Sequence, residues 1–493
     1  MKGFVTKHTW SECVLTMLTI VVGLSCSRAL RLNEDSYFYL DAAQNLVDGH
    51  GYRTFLLTVW SGPVPDPALF WPPAYPILLS VALAFGLNAI HSARVVSLLA
   101  GIVAVLTFHR LARRLVNDWS FPLASLWLLL LAQSEIHWSV MSDMLFLAFQ
   151  GLFLAVAVES FGDKPVIHAA GAGITAGLLC LTRHIGLAAP VSYLLALSFA
   201  PVGNGNRWQR ARMFVLFVLG CALVYCPYLL YNFANLGVLL PNTRKIPFVS
   251  PIDNSYRVFR SVTQDLLPAL IAFSLPLFCL GWRGIALSPR QTITRRFSPL
   301  ALVYITLYVC LLVGTASTTY VSIYSRTCFP LYPLILLLGA HVLFSSWQLR
   351  RTDLSYSAPV ATVVIVAGFL MAGTQMLLRE SRTKGALQSD PLTVITRSLR
   401  RQVGSGDLVV APSLQHVRFE TGAAVLTGTF SAQELAGFLR RHANTFYRIV
   451  AVEDRCTPIR ILDAVMPFAP AKVAEDGCYT TYLLEGIGNW RPR

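Results

Sequence analysis

Apolar runs of roughly 17–25 residues recur along this chain, and a run of about 20 is what one helical crossing of a hydrocarbon layer requires. They lie near 10–28, 93–115, 119–135, 141–161, 166–182, 184–201, 212–231, 265–283, 299–315, 327–346 and 357–378. These runs are too long and continuous for barrel strands, and only helices and closed barrels satisfy backbone groups in lipid. The pattern therefore predicts an α-helical polytopic membrane protein with about eleven transmembrane helices.

Three long segments interrupt the apolar rhythm. In the first, 29–92, Tyr39, Ala42, Ala43 and Leu46 recur at helical spacing and predict a short amphipathic helix. Its later part, Trp71-Pro72-Pro73-Ala74-Tyr75-Pro76 followed by Ile77 to Phe85, is apolar but short, and suits a helix lying in the interface. The second segment, from about Asn232 to Gln264, contains Lys245. The third, after Arg379, changes character. Asp407 to Pro412, Tyr447 to Val452 and Tyr479 to Leu484 read as strands. Ser431, with Glu434 in capping-box position, opens a helix over Ala432–Arg441. The expected organisation is a transmembrane domain, 1–378, that includes the first loop, and a small C-terminal α/β domain, 379–493.

Composition sharpens this picture. Of 493 residues, 55% are hydrophobic and 13% charged, against about 25% charged in a typical soluble domain. The net charge of +15 is carried largely in short loops and sets orientation. Lys2 and Lys7, Arg110, Arg113 and Arg114, Arg207, Arg210 and Arg212, Arg283 to Arg296, and Arg350 and Arg351 all fall on one side, which the positive-inside rule makes cytoplasmic. An odd number of spans then places the C-terminal domain outside the cytoplasm, as expected of a multi-pass protein of the plasma (inner) membrane. No interleaved basic and aromatic stripe argues for nucleic acid. Lys2 and Lys7 ahead of Cys13–Leu24 resemble a signal peptide, but the spans that follow favour an uncleaved first helix. The ten cysteines show no metal-ligand spacing. Cys456 and Cys478 stand apart in the polar C-terminal region and are a candidate disulfide. Gly404-Ser405-Gly406 precedes a strand instead of joining a strand to a helix, so it is no phosphate-binding loop.

The candidate chemistry lies on the outward side. Glu34 and Asp35 stand just after the first span; by themselves they are a favourable helix start. Asp143, with Glu135 and His137 nearby, lies at the outward mouth of the third and fourth spans, a depth at which ionisable groups are costly and commonly functional. Arg183 occupies the next outward turn, and Arg326 stands before the tenth span. Snorkelling to the interface is the alternative use of those arginines. Carboxylates and cations on one face can together deprotonate a hydroxyl and hold a phosphate.

The order of motifs carries a resemblance. Asp35-x-x-x-Tyr39-x-x-x-Ala43-x-x-Leu46-x-x-Gly49-x-Gly51-Tyr52 is followed by Pro72-Pro73-x-Tyr75-Pro76, Ala93-Arg94-x-x-Ser97, Ser142-Asp143, Arg183 before Gly186-Leu187, and Arg326-x-x-x-Pro330-x-x-Pro333. Over residues 10–350 the chain resembles the GT-C superfamily of polyprenyl-phosphate-dependent glycosyltransferases, in the branch with protein mannosyltransferases and aminoarabinose transferases. The resemblance implies transfer of a sugar, with inversion, from a polyprenyl-phosphate donor to a glycan, lipid or protein acceptor. It implies Asp35 as general base, with Glu34 beside it, and Asp143 as a second acidic residue supporting the acceptor or a divalent cation. Arg183, Lys245 and Arg326 become candidate contacts of the donor phosphate, and Tyr39, His137 and Glu135 candidate lining residues. Ser36 follows Asp35 where many members have Glu, which leaves the choice of base between Asp35 and Glu34 and the metal unknown. A transporter or lipid flippase is the alternative class; repeat symmetry and polar mid-bilayer helices would mark it, and neither is found in the sequence.

Overall fold

The computed structural model describes residues 2–28, 32, 34–57, 66–67, 71–116, 120–133, 140–162, 165–199, 207–237, 239, 250–262, 291–318, 325–346, 399, 403, 407–410, 423–426, 432–442, 445–446, 448–454, 471–476 and 479–484. They divide into two compact units. One holds Met1–Arg31, Phe70–Leu78 and Ile90–Leu377; the other holds Leu32–Leu69, Leu79–Ala89 and Leu378–Arg493.

The first unit is helical. Its long elements are α1 (Lys2–Arg28), α4 (Ala89–Val116), α5 (Ser120–Gln133), α6 (Asp143–Ser160), α7 (Pro165–Thr182), α8 (Ala188–Phe199), α9 (Arg207–Leu236), α10 (Gln291–Thr318) and, after a short turn α11 (Ser325–Cys328), α12 (Tyr332–Ser346). Among the described residues six helices are long and apolar enough to cross a membrane, within α1, α4, α6, α7, α9 and α10. These coincide with six of the expected spans. The runs at 119–135, 184–201 and 327–346 form shorter apolar helices, and those at 265–283 and 357–378 lie outside the described residues. The short apolar stretch at 77–85 forms α3 (Ala74–Ala84), with Tyr75 and Leu79 buried and Ile77, Leu78 and Val81 exposed.

Close approaches and ion pairs fix the directions of these helices. Gly173 and Gly177 of α7 lie against α9. A Cβ on Gly177 would meet Val224 Cβ at 2.8 Å and the Cys221 carbonyl at 3.0 Å, and one on Gly220 of α9 would meet the Ala170 carbonyl at 2.6 Å. Small residues four apart let two membrane helices touch backbone to backbone, where dispersion replaces the missing hydrophobic drive. Residue number rises along both helices at these contacts, so α7 and α9 run parallel and α8 returns between them. Gly177→Val is expected to force α7 and α9 apart and lower the melting temperature of detergent-purified protein, since overpacking typically costs about 1–3 kcal/mol. An unchanged melting curve would show that the approach is dispensable.

Gly151 of α6 meets Thr107 of α4, and Arg114 of α4 pairs with Glu159 of α6, so these two helices also run together. Glu12 of α1 accepts from Arg110 through both oxygens, at 3.1 and 3.2 Å, with Arg113 3.8 Å away. The basic cluster Arg110, Arg113 and Arg114 thus lies at one end of the bundle, and the start of α6, with Asp143, at the opposite end. Aromatic rings fill the interior: Trp127 stacks on Phe108 at 5.8 Å and Phe329 at 5.1 Å, and Tyr193 on Phe217 at 4.1 Å.

The second unit contains α2 (Glu34–Val47), α3's last residues and a six-stranded sheet. The sheet order is β2 (Leu56–Leu57), β5 (Ala424–Leu426), β4 (Leu408–Val410), β6 (Ile449–Asp454), β8 (Tyr479–Leu484), β7 (Ala471–Asp476). The first four strands are mutually parallel, while β8 runs antiparallel to both β6 and β7. Helix α13 (Ala432–Arg441) buries Leu435, Phe438 and Leu439 in a core with Leu57, Leu408, Val410, Leu426 and Ala451. At the edge of this core Arg448 grips Asp407 through two bonds, 3.2 and 2.7 Å, and the carboxylate holds the arginine's pKa above its ordinary value. Strand β2 comes from the first loop. The backbone of that loop pairs Leu56 with Val425 and Leu57 with Leu426, and Leu32–Leu69 falls in one unit with the C-terminal region. A short ribbon of β1 (Arg53–Thr54) and β3 (Asp66–Pro67) completes the loop.

Candidate active site

Each unit carries carboxylates expected to do chemistry, Glu34 and Asp35 in one and Asp143 in the other. In the sheet-bearing unit, Asp35 sits in the first turn of α2, where a negative charge is favoured by the helix dipole. Asp35 is partly exposed, whereas Ser36 and, one turn on from Asp35, Tyr39 are buried. The helix stops at Asp48-Gly49-His50-Gly51. Gly49 and Gly51 take φ of 80° and 79°, a region that disfavours side chains, so the spaced glycines of the first-loop motif are explained by the turn they make.

That turn carries the chain back onto a residue the sequence reading passed over. Asp41, 1% exposed, accepts a hydrogen bond from Thr54 Oγ1 at 2.8 Å and from the Phe55 N–H at 2.6 Å. Asn45 donates to the Arg53 carbonyl at 3.0 Å. Together they pin α2 to the segment that enters the sheet. The one signal for Asp41 was its place on the apolar face of an amphipathic helix, where an unpaired carboxylate is too costly to keep. Asp41→Ala is expected to strand the Thr54 hydroxyl and Phe55 amide, at about 1–3 kcal/mol for each group left unsatisfied. Limited proteolysis is the check: the first loop of the variant should be cleaved faster than that of the parent, and equal rates would refute the role.

In the helical unit, Asp143 is the first residue of α6 and only 3% exposed. It forms an ion pair with Arg183, whose side chain is 22% exposed. Arg183 stands in extended backbone, φ −154° and ψ 141°, between the end of α7 and a 3₁₀ turn over His184–Leu187. The turn folds tightly onto α7: a Cβ on Gly186 would meet the Cys180 nitrogen at 2.8 Å and lie closer still to the Leu179 carbonyl. Glycine is therefore required three residues after Arg183, which accounts for the Arg183…Gly186-Leu187 motif. Tyr308 of α10 is buried beside this pair, feels the charge of both partners, and donates to the Thr327 carbonyl at 2.9 Å. Gln150 of α6 donates to the Pro330 carbonyl at 2.9 Å. These bonds fasten the turn bearing Arg326 to the end of the bundle that holds Asp143 and Arg183.

The structure thus brings Asp143, Arg183 and the backbone of Arg326 to one end of the helical unit, and adds Tyr308, which lay hidden inside an apolar run. The side chains of Arg326 and Glu34 lie outside the described residues, as do Glu135, His137, Lys245, Cys456, Cys478 and Ser431 altogether. Among the described residues no group of three His, Cys, Asp or Glu side chains offers a cation site.

A bundle of apolar helices with a buried carboxylate–guanidinium pair at one end, and a first-loop helix tied to a small α/β sheet, make up a fold that solved structures share. No family profile matches the sequence, and no curated protein does. Solved structures match it over 90–100% of its length. ArnT from Cupriavidus metallidurans bound to undecaprenyl phosphate overlays with a TM-score of 0.63 at 14% identity, covering 99% of each chain. The apo state of the same protein gives 0.53 at 14% identity, covering 100% of this chain and 99% of that one. The archaeal oligosaccharyltransferase AglB from Archaeoglobus fulgidus, in complex with an inhibitory peptide and a dolichol-phosphate, gives 0.49 at 9% identity over 90% of this chain and 69% of its own.

Proposed function

We propose that this protein is a membrane glycosyltransferase that moves a sugar from a polyprenyl-phosphate donor to an acceptor hydroxyl on the extracytoplasmic face of the inner membrane. The observation that carries the reading is the buried Asp143–Arg183 pair, set at one end of a bundle whose fold overlays along its whole length with a protein bound to undecaprenyl phosphate.

Asp35 takes the proton of the acceptor hydroxyl as its oxygen attacks the anomeric carbon. The bond from that carbon to the phosphate oxygen breaks on the opposite face, so configuration inverts, and the electron pair leaves with the polyprenyl phosphate. A phosphate leaving group needs cations and no protonating acid. Arg183, with Lys245 and Arg326, supplies them. A guanidinium has five N–H donors, so Asp143 aims Arg183 through some of them and leaves the others for phosphate. Tyr39, Glu135 and His137 line the acceptor side. The acceptor is a glycan, lipid or protein hydroxyl, and the donor's tail stays in the lipid. The clustering of Arg110, Arg113 and Arg114 at the end opposite Asp143 supports an orientation with a cytoplasmic N-terminus and the sheet-bearing unit outside.

The test is reconstitution with a radiolabelled polyprenyl-phosphate sugar and crude envelope acceptor. Label in a new glycosidic linkage with release of polyprenyl phosphate is the expected result. Passage of intact donor across the vesicle membrane without a new bond would overturn it in favour of a flippase.

A further inference from the structure

Between α9 and α10, residues 251–262 form a helix that the transfer reaction does not use. Pro251 starts it, a position where its missing N–H costs nothing, and Ser255 donates to the Pro251 carbonyl at 2.8 Å. Two residues four apart, Asn254 at 1% and Val258 at 5% exposure, are buried and seat it on the bundle. On the opposite side Ile252, Tyr256 and Phe259, spaced four and three apart, are 81%, 63% and 67% exposed. Arg257 and Arg260 lie along one border of that apolar stripe and are exposed; Asp253, the one acidic residue of the helix, is on the same side, one turn before Arg257. Tyr332 donates to the Ser261 carbonyl at 3.3 Å and tethers the helix to the start of α12. That is the end of the bundle where Thr327, Tyr308, Asp143 and Arg183 meet.

An apolar face of aliphatic and aromatic residues, bordered by arginines and opposed by a protein-seated face, suits the plane where acyl chains meet headgroups. A water-facing loop at this place would have no use for three large exposed apolar side chains on one stripe. We propose that helix 251–262 lies in the membrane interface, with Ile252, Tyr256 and Phe259 among acyl chains and Arg257 and Arg260 on the phosphates of acidic phospholipids. It is then a lipid-sensing element at the mouth of the site: the bilayer's anionic lipid content sets how firmly it is held.

The experiment uses the full-length protein in nanodiscs of phosphatidylcholine with one-third phosphatidylglycerol. Phe259 is replaced by the photo-crosslinker p-benzoylphenylalanine, and Val258 by the same residue as an inward-facing control. Irradiation is expected to attach phospholipid acyl chains at position 259 and protein at 258, read by mass spectrometry. In a second arm, Arg257→Gln and Arg260→Gln should each reduce retained phosphatidylglycerol by about fivefold, the share one surface arginine contributes to anionic lipid binding. Crosslinks from 259 to this chain or to a second copy would overturn the proposal. So would capture of added undecaprenyl phosphate in preference to phosphatidylglycerol, or retention of acidic lipid that ignores both arginines.

Discussion

Asp35→Asn is expected to lower sugar transfer by about 10²–10⁴-fold, the range a positioned general base contributes, while donor binding is kept and the melting temperature changes little. The exchange is isosteric and removes the negative charge together with the ability to accept a proton. Asp35 is partly exposed in the first turn of α2, so the fold loses at most a helix-dipole contribution of about 0.3–1 kcal/mol. Turnover and binding are measured separately, with labelled transfer for the first and co-purified polyprenyl phosphate for the second. Glu34→Gln is the matched comparison and should fall by less than tenfold. Undiminished transfer by Asp35→Asn would remove Asp35 from the mechanism, and a larger fall in Glu34→Gln would hand the role of base to its neighbour.

The second large effect belongs to the Asp143–Arg183 pair. Asp143→Ala leaves a guanidinium in a site built for an ion pair, and stranding one member of a buried pair costs about 3–5 kcal/mol. Both stability and transfer should collapse, which alone would not separate structure from function. The double variant Asp143→Leu/Arg183→Met does so. Replacing both charges with apolar side chains is commonly neutral or stabilising, so thermal stability should return toward the parental value. Transfer should not return, because the guanidinium that Asp143 aims at the donor phosphate in the proposed mechanism is gone. Recovery of transfer along with stability would reduce the pair to a strut.

Much of the fold was legible. Apolar run length located the first span, the α4, α6, α7, α9 and α10 crossings, and the shorter α5, α8 and α12, because a hydrocarbon layer imposes one simple requirement on sequence. Helix α13 lies where Ser431 and Glu434 placed it, over Ala432–Arg441, and β8 at Tyr479–Leu484. Strands β5 and β7 were missed, and so was β2: three-residue Ala424–Leu426 and two-residue Leu56–Leu57 carry too little alternation to announce a strand, and the partner of a parallel strand is not encoded nearby. At the site, Asp143 and Arg183 were readable as ionisable groups at the end of apolar runs. Their contact was not, since it depends on the tight turn that Gly186 permits. Tyr308 and Asp41 were hard to single out for a shared reason. A tyrosine in an apolar run and an aspartate on a helix face acquire meaning only when the chain brings them partners: Thr327 for one, Thr54 and Phe55 for the other.

The strand that the first loop lends to the C-terminal sheet bears on biosynthesis. Leu56 and Leu57 leave the ribosome early, yet their partners Val425 and Leu426 arrive roughly 370 residues later, after every crossing has been synthesised, a separation that makes such pairing slow to close. Until then the segment following α2 has an open edge, and the carboxylate helix that Asp41 ties to it lacks its final support. The first loop is thus completed last. A chain released before residue 426 would hold its crossings but no finished first loop.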